Sequence, residues 1–157
     1  MSYAKAGITR HVAERYHDIS CGHRVVGHEG KCVHLHGHNY RIHFRCGADL
    51  DRVGRVIDFG VIKSLLCVWL EENWDHRMLM WEGDPMRLEV FKLDPQGLVV
   101  VPFNPTAENI ADHLLNVVGP RLLSPVGVRL LSVRVEETRK CSAEVWHEDL
   151  DDNWSAR

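Results

Sequence analysis

The sequence predicts an α+β fold with a mainly antiparallel sheet, and two kinds of hydrophobic periodicity indicate it. Residues 36–46 and 127–138 alternate apolar and polar side chains with a period of two, as half-buried strands do. Residues 58–74 and 104–123 instead repeat apolar side chains at helical spacing. The predicted helices lie between pairs of strands along the chain, an order typical of α+β folds.

The N-terminal part of the chain contains two predicted strands joined by a loop. Residues 4–20 favour a strand with poor alternation, and residues 22–31 favour a loop. The alternation of residues 36–46 is regular, and it places His36 and His38 in the same parity as the apolar side chains. We therefore expect both imidazoles to project from the apolar face of the second strand.

The central part of the chain begins with the first predicted helix, for which Asp58 is a plausible N-cap. Residues 74–97 are predicted to be irregular with a short helical turn, and residues 98–103 form a short apolar run typical of a buried strand. The second predicted helix begins at Pro105 and Thr106.

The C-terminal part of the chain returns to strands. Gly119-Pro120 is expected to strain or end the second helix. In the strand that follows, Glu137 shares a parity with Leu131, Val133 and Val135, which predicts an inward-facing carboxylate. A last strand is predicted near residues 143–148, and residues 149–157 form a polar tail.

Composition narrows the class of protein. The 157 residues are expected to form a single domain, 1–157, and the formal net charge of −3 lacks the basic excess of nucleic-acid-binding proteins. No apolar segment resembles a signal peptide or a membrane span, so a cytoplasmic protein without membrane partners is expected. The five cysteines are odd in number and contain no C-x-x-C pair, which argues against a disulfide framework or a cysteine-rich zinc finger.

The pair His36 and His38 is the first candidate for chemistry. Side chains two positions apart on a strand point the same way, with Cα atoms roughly 6.5–7 Å apart, so both imidazoles can bind one ion. Zinc binds histidine nitrogen at about 2.0–2.1 Å, and three protein ligands leave one position for water or substrate. A groove lined by polar side chains without metal is the alternative for such a pair.

A catalytic zinc ion requires a third ligand. His23 is the preferred candidate, because an antiparallel neighbouring strand can place it beside the histidine pair. The alternatives lie in or near the loop between the strands: His28, His34 and the thiolate of Cys32.

Other side chains are candidates for proton transfer or ligand binding. Cys32 is close enough in sequence to reach the same pocket, although buried cysteines are often inert. Glu137 requires a hydrogen-bond donor, either the N–H/NH₂ edge of a pterin or guanine ring or a neighbouring arginine. Asp75-His76 offers either a base oriented by an acid or a pair at a helix end without chemistry.

Five segments together resemble the 6-pyruvoyltetrahydropterin synthase / 6-carboxytetrahydropterin synthase family, over roughly residues 15–146. They are "CGHRVVGHEGKCVHLHGHNY", "VIDF", "WDHRML", "NPTAENIA" and "VRVEET". The resemblance implies a tunnelling fold (T-fold), a four-stranded antiparallel sheet with two helices on one face. It also implies a homo-hexamer, in which three subunits close a barrel, two trimers stack, and active sites lie between subunits.

The resemblance also implies a role for each candidate. The implied zinc (Zn²⁺) ligands are His23, His36 and His38; the implied catalytic residues are Cys32, Asp75 and His76; the implied pterin-binding residue is Glu137. The substrate of the family is 7,8-dihydroneopterin triphosphate, whose side chain would be bound at the zinc ion.

The three residues between Cys32 and His36 resemble the 6-carboxy branch of the family, because animal 6-pyruvoyl enzymes have a longer spacer. This branch releases acetaldehyde and triphosphate and leaves 6-carboxy-5,6,7,8-tetrahydropterin, a precursor of 7-deazapurines such as queuosine. The alternatives are a 6-pyruvoyltetrahydropterin synthase and a non-catalytic, zinc-stabilised pterin-binding module.

Some positions differ from the family pattern or have no assigned role. The differences are Ile19, Cys21, His34 and a longer insert at residues 81–96. Cations available to bind a triphosphate group are Lys31, Arg24 and Arg77.

Overall fold

The computed structural model describes residues 10–147, and its six strands form one mixed sheet in the order β4-β3-β1-β2-β5-β6. The strands are β1 Val12–His23, β2 His36–Gly47, β3 Arg77–Trp81, β4 Leu98–Val101, β5 Arg129–Thr138 and β6 Cys141–Trp146. Strands β1, β2, β5 and β6 pair antiparallel, as expected. The prediction of a four-stranded sheet is wrong, because β3 and β4 extend it in parallel from β1.

Strand β3 lies within residues 74–97, which the sequence predicted to be irregular. Its adjacent residues Leu79 and Met80 are both buried, although neighbours on a strand face opposite sides of the sheet. A strand covered on both faces shows no alternation, which explains why periodicity did not reveal it.

The first long helix, residues 59–73, begins where predicted, since the carboxylate of Asp58 accepts a hydrogen bond from the N–H of Gly60 at 2.7 Å. It consists of α1 Phe59–Ile62, a π-helical turn Lys63–Cys67 and α2 Val68–Asn73. A separate short helix, α3 Arg87–Leu93, lies between β3 and β4.

The second long helix, residues 107–123, also begins where predicted, and Thr106 is its N-cap, because its hydroxyl accepts from the N–H of Asn109 at 3.2 Å. It consists of α4 Ala107–His113, a π-helical turn Leu114–Val118 and α5 Gly119–Leu123. The helix does not end at Gly119-Pro120. Proline provides no N–H to the preceding turn, and the π-helical turn stands directly before it.

Both long helices contribute to one hydrophobic core with the sheet. The buried side chains include Tyr40, Ile42, Phe44, Leu66, Leu70, Leu114, Leu115, Val133 and Val135. The alternation of β2 is thus confirmed: its apolar parity faces the core, and His36 and His38 continue that parity toward the start of the strand.

A β-bulge changes the expected face of Leu131. Leu130 pairs with Cys46 and Ser132 pairs with Arg45, so Leu131 is an extra residue in β5. Leu130 is buried in the core instead of Leu131, and that part of the prediction is wrong. Val133 and Val135 keep the predicted face, and Glu137 continues it.

Strand β1 runs from Val12 to His23, so it ends three residues later than predicted and the loop begins at Arg24. Arg10 and His11, which the predicted strand included, precede it. Residues 4–9 and the predicted tail 149–157 lie outside the described residues. Within residues 10–147, no helix combines the length and apolarity required to cross a bilayer.

The packing of the first long helix predicts a large effect for Leu66→Ala. Leu66 is 1% exposed, so truncation leaves a cavity and should lower the free energy of unfolding by about 2–5 kcal/mol. The matched control is Leu93→Ala, because Leu93 is 85% exposed and its loss should cost less than about 0.5 kcal/mol. Chemical denaturation measures both, and equal effects would contradict this packing.

Candidate functional site

Three histidines converge where β1 ends and β2 begins. His23 pairs with His36 and Cys21 pairs with His38 in the antiparallel register, so the three rings lie on the helix-covered face. One side-chain nitrogen of each histidine lies within 4.8 Å of the others. The structure therefore brings together the three residues that the sequence placed at a metal site, and His23 supplies the third ring.

Backbone carbonyls fix the tautomers of two of these rings. Nδ1 of His23 lies 2.7 Å from the carbonyl oxygen of Pro105, and Nδ1 of His36 lies 2.7 Å from that of His34. A carbonyl can only accept, so each Nδ1 donates its hydrogen and each Nε2 keeps a lone pair in the neutral ring.

The geometry of the Nε2 atoms fits a cation. Nε2 of His23 and Nε2 of His36 are 3.0 Å apart, a separation at which two lone pairs repel unless a proton or metal ion lies between them. Two nitrogens bound to tetrahedral zinc are about 3.3 Å apart. Nε2 of His38 is buried and has no hydrogen-bond partner among the described residues. The three side chains can thus hold a metal ion.

Electrostatics favours the neutral rings that metal binding requires. Burial lowers the pKa of His23, and the neighbouring His36 and His38 lower it further, against the opposing effects of Pro105 and Glu137. Burial and His36 likewise lower the pKa of His38, although Glu137 opposes the shift. Neutral imidazole is the form that binds a metal.

Glu137 lies beside the histidines on the core-facing side of β5. Its Oε1 is 3.3 Å from Nε2 of His38, an ion-pair distance without hydrogen-bond geometry. The described ion pairs give Glu137 no arginine partner. Arg134, on the same strand, pairs with Glu136 instead. The alternative in which a neighbouring arginine satisfies Glu137 is therefore not seen among the described ion pairs.

Tyr40 lies beside the histidines, and its hydroxyl is close enough to Glu137 and Cys32 to feel their charges. Its ring contacts His23 and His38 at centroid distances of 5.7 and 5.5 Å, and its buried hydroxyl has no hydrogen-bond partner in the described chain. Burial raises the pKa of Tyr40, and Glu137, Cys21 and Cys32 raise it further. Cys32 itself lies half-buried in a 3₁₀ turn, Lys31–Val33, directly before β2.

Asp75 and His76 form a pre-oriented pair at the end of the first long helix. Nδ1 of His76 donates to Oδ2 of Asp75 at 2.9 Å, and Oδ1 of Asp75 accepts from the N–H of Ser20 at 2.8 Å. Burial raises the pKa of Asp75, but these hydrogen bonds outweigh it and the pKa is lowered. The carboxylate is therefore ionised and orients the imidazole.

No described hydrogen bond or ion pair joins the Asp75-His76 pair to the three histidines. His76 is 80% exposed, and it lines a groove of about 500 Å³ together with Ser20, Gly22, Gly37 and Asn39. These four strand residues have the parity opposite to that of the three histidines, but the groove also reaches His38. Within residues 10–147, the hydrogen bonds of His76 reach Asp75 and Ser20 but not Cys32.

One of the three cations expected to be available for triphosphate is already engaged in a buried ion pair. Nε of Arg24 lies 3.0 Å from Oδ2 of Asp84, and both side chains are buried, so the expectation that Arg24 is free is wrong. Arg77 donates to the carbonyl of Gln96 at 2.9 Å. Lys31 is exposed in the turn that contains Cys32.

Sequence reasoning missed the backbone support of the site. The segment "NPTAEN" predicts the start of a helix and contributes to the family resemblance, but it does not indicate that Pro105 supplies the carbonyl that orients His23. A backbone acceptor has no side-chain signature. Tyr40 did have one, since it shares the parity of His36 and His38.

Comparison with known proteins agrees with this architecture. The sequence matches the 6-pyruvoyl tetrahydropterin synthase family over residues 13–148, and the protein belongs to that family. It is 38% identical over 130 residues to the 6-carboxy-5,6,7,8-tetrahydropterin synthase of Rickettsia typhi, covering 82% of this chain and 94% of that protein. A probable 6-carboxy-5,6,7,8-tetrahydropterin synthase of Halobacterium salinarum is 37% identical, covering 80% of this chain and 79% of that one.

Solved structures give the same fold. An uncharacterized protein from Wolinella succinogenes superposes with a TM-score of 0.78 at 27% identity, covering 90% of this chain and 100% of that chain. The Caenorhabditis elegans 6-pyruvoyl tetrahydropterin synthase gives a TM-score of 0.64 at 24% identity, covering 90% and 98%. The T-fold implied by the resemblance is therefore present, with two additional parallel strands at one edge of the sheet.

The convergence of three imidazoles predicts that His23→Ala weakens zinc binding by more than about a hundredfold, because a direct ligand is lost. Competition with a chromophoric chelator measures the affinity. His28→Ala and His34→Ala are the controls, since both residues are exposed alternatives in the preceding loop, and they should bind zinc like the wild type. A greater loss with either control would contradict the proposed ligand set.

Proposed function

We propose that this protein is a zinc-dependent lyase that converts 7,8-dihydroneopterin triphosphate into 6-carboxy-5,6,7,8-tetrahydropterin, acetaldehyde and triphosphate. The main support is the convergence of three imidazoles on the core-facing side of the sheet with Glu137 beside them. Relatives that cover most of this chain have the name of that activity.

Zinc is the metal that best fits the donor set. Three imidazoles and no thiolate leave the ion its full charge and one open position, the pattern of catalytic rather than structural zinc sites. A bound zinc ion would supply Lewis acidity toward the hydroxyl groups of the substrate side chain.

The remaining roles follow from the positions of the side chains. Glu137 would accept hydrogen bonds from the N–H/NH₂ edge of the pterin ring, since the described ion pairs provide it with no permanent cation. Cys32 would transfer protons between side-chain carbons, as a thiol held in a short turn before the metal ligands. His76, oriented by Asp75, would be its partner in proton transfer.

A site completed by a second subunit would bring Cys32 together with an Asp75-His76 pair, since the described hydrogen bonds of His76 do not reach Cys32. Nδ1 of His76 is occupied by Asp75, which leaves Nε2 on an exposed ring for a group outside the chain. Strands β4 and β6 are the two edges of the sheet, and edge strands with unpaired backbone groups can join between subunits. We therefore propose a homo-hexamer, a dimer of trimers, with active sites between subunits.

The 6-carboxy product is favoured over the 6-pyruvoyl product because only three residues separate Cys32 from His36, the short spacer that resembles the 6-carboxy branch. A 6-pyruvoyltetrahydropterin synthase would use the same residues but retain all side-chain carbons. The consumer of the 6-carboxy product would be a 7-deazapurine pathway of the queuosine type.

Turnover by zinc-loaded protein should yield acetaldehyde and 6-carboxy-5,6,7,8-tetrahydropterin, because the proposed reaction cleaves a carbon–carbon bond. Mass analysis of the product distinguishes it from a pterin that retains three side-chain carbons, which would indicate the 6-pyruvoyl reaction. Cys32→Ala should lose turnover but keep its zinc, since Cys32 lies outside the three-histidine group. Tight binding of the substrate without any product would favour a non-catalytic pterin-binding module.

Mixing two inactive variants tests whether the site is shared. Cys32→Ala and His76→Ala homo-oligomers should each be inactive, because each lacks one proton-transfer group at every site. After joint unfolding and reassembly, some sites would combine an intact Cys32 with an intact His76 from the neighbour. Activity should then recover to about a quarter of the wild-type value for random mixing of equal amounts. A mixture as inactive as its components would indicate that both residues act within one chain.

A further inference from the structure

We propose that Asn104 is a positioning residue of the metal centre, acting through the Pro105 carbonyl on the ring of His23. The inference rests on the proposed zinc site but concerns a residue that provides no ligand itself. It follows from an unusual concentration of hydrogen bonds around Asn104.

The side chain of Asn104 clamps the loop that follows β1. Its Oδ1 accepts from the N–H of Val26 at 2.9 Å, and its Nδ2 donates to the carbonyl of Val26 at 2.9 Å. Both ends of the amide are thus bonded to one residue, which also fixes the orientation of the amide. Val26 lies three positions after His23.

The backbone of Asn104 is held equally firmly at the start of the second long helix. Its carbonyl accepts from the N–H of Thr106 at 2.8 Å and from Nδ2 of Asn109 at 2.9 Å. Between these contacts lies Pro105, whose ring restricts φ and whose carbonyl is 2.7 Å from Nδ1 of His23. The Pro105 carbonyl that orients His23 therefore belongs to a backbone segment that hydrogen bonds hold in place.

The same clamp reaches the loop of the proposed catalytic thiol. The N–H of Val25, next to the clamped Val26, donates to the carbonyl of Cys32 at 2.8 Å. Hydrogen bonds around Asn104 therefore link the start of the second long helix, the loop after His23 and the turn that contains Cys32. Because His23 is only 1% exposed, no water can replace the Pro105 carbonyl without a rearrangement of its surroundings.

Loss of this clamp should be visible in metal affinity. Partners that orient a metal-binding histidine typically contribute about 10–100-fold to affinity. We expect Asn104→Ala to weaken zinc binding at least about tenfold and to change the visible absorption spectrum of the cobalt-substituted protein, which reports ligand geometry. The matched control is Asn116→Ala. It removes an exposed amide hydrogen bond to Asp112, and both residues lie on the second long helix, which begins just after Asn104.

The experiment measures zinc affinity by chelator competition, the cobalt spectrum and the thermal unfolding of the metal-free protein. Weaker zinc binding and an altered spectrum for Asn104→Ala, with Asn116→Ala unchanged, would support the proposal. A lower melting temperature of metal-free Asn104→Ala with unchanged zinc affinity and spectrum would overturn it, because the role would then be structural only.

A second variant decides the matter if Asn104→Ala does not fold. Asn104→Asp keeps the acceptor for the Val26 N–H but places a carboxylate oxygen against the Val26 carbonyl, so one half of the clamp is lost. Weaker zinc binding by this variant supports the proposal, and wild-type affinity overturns it. Failure of the wild-type protein itself to bind zinc would instead overturn the proposed function, and this inference with it.

Discussion

The antiparallel register of β1 and β2 sets His23 opposite His36 and Cys21 opposite His38, and the whole site depends on it. A shift by one residue would move every side chain of one strand to the other face of the sheet. The buried parity of β2, from Tyr40 through Phe44, makes such a shift costly because it would expose core side chains. Hydrophobic burial in the middle of the strand thus determines where imidazoles meet at its end.

Polar groups at this end of the sheet repel one another or lack partners unless a cation lies between them. Two carbonyls direct the lone pairs of His23 and His36 toward each other, and burial lowers the pKa of both His23 and His38, which favours their neutral forms. The carboxylate of Glu137 lies beside these neutral rings. Positive charge at the centre would satisfy the nitrogens, and it would also lower the cost of holding the carboxylate in a half-buried place.

The elements predicted well were those in which one face is buried and the other is not. Strand β2, the second half of β5 and both long helices have that pattern. The two strands gave the face of His36, His38 and Glu137. Strand β3 was missed because both its faces are covered, and Leu131 was assigned to the wrong face because a bulge interrupts the alternation. Pro105 and the clamp by Asn104 act through backbone groups and tertiary contacts, which a linear pattern does not encode. The separation of His76 from Cys32 depends on the path of the chain after the first long helix.

Arg24, the residue directly after the proposed metal ligand His23, forms a buried ion pair with Asp84 of the long insert. Removing one partner of such a pair leaves an unneutralised charge in the interior, which is far more costly than replacing both. Through evolution the two positions should therefore change together. In relatives whose insert is too short to supply the carboxylate, the position after the first histidine is expected to have lost its positive charge. The residue type at that one position beside the metal ligands would then indicate how long the insert is.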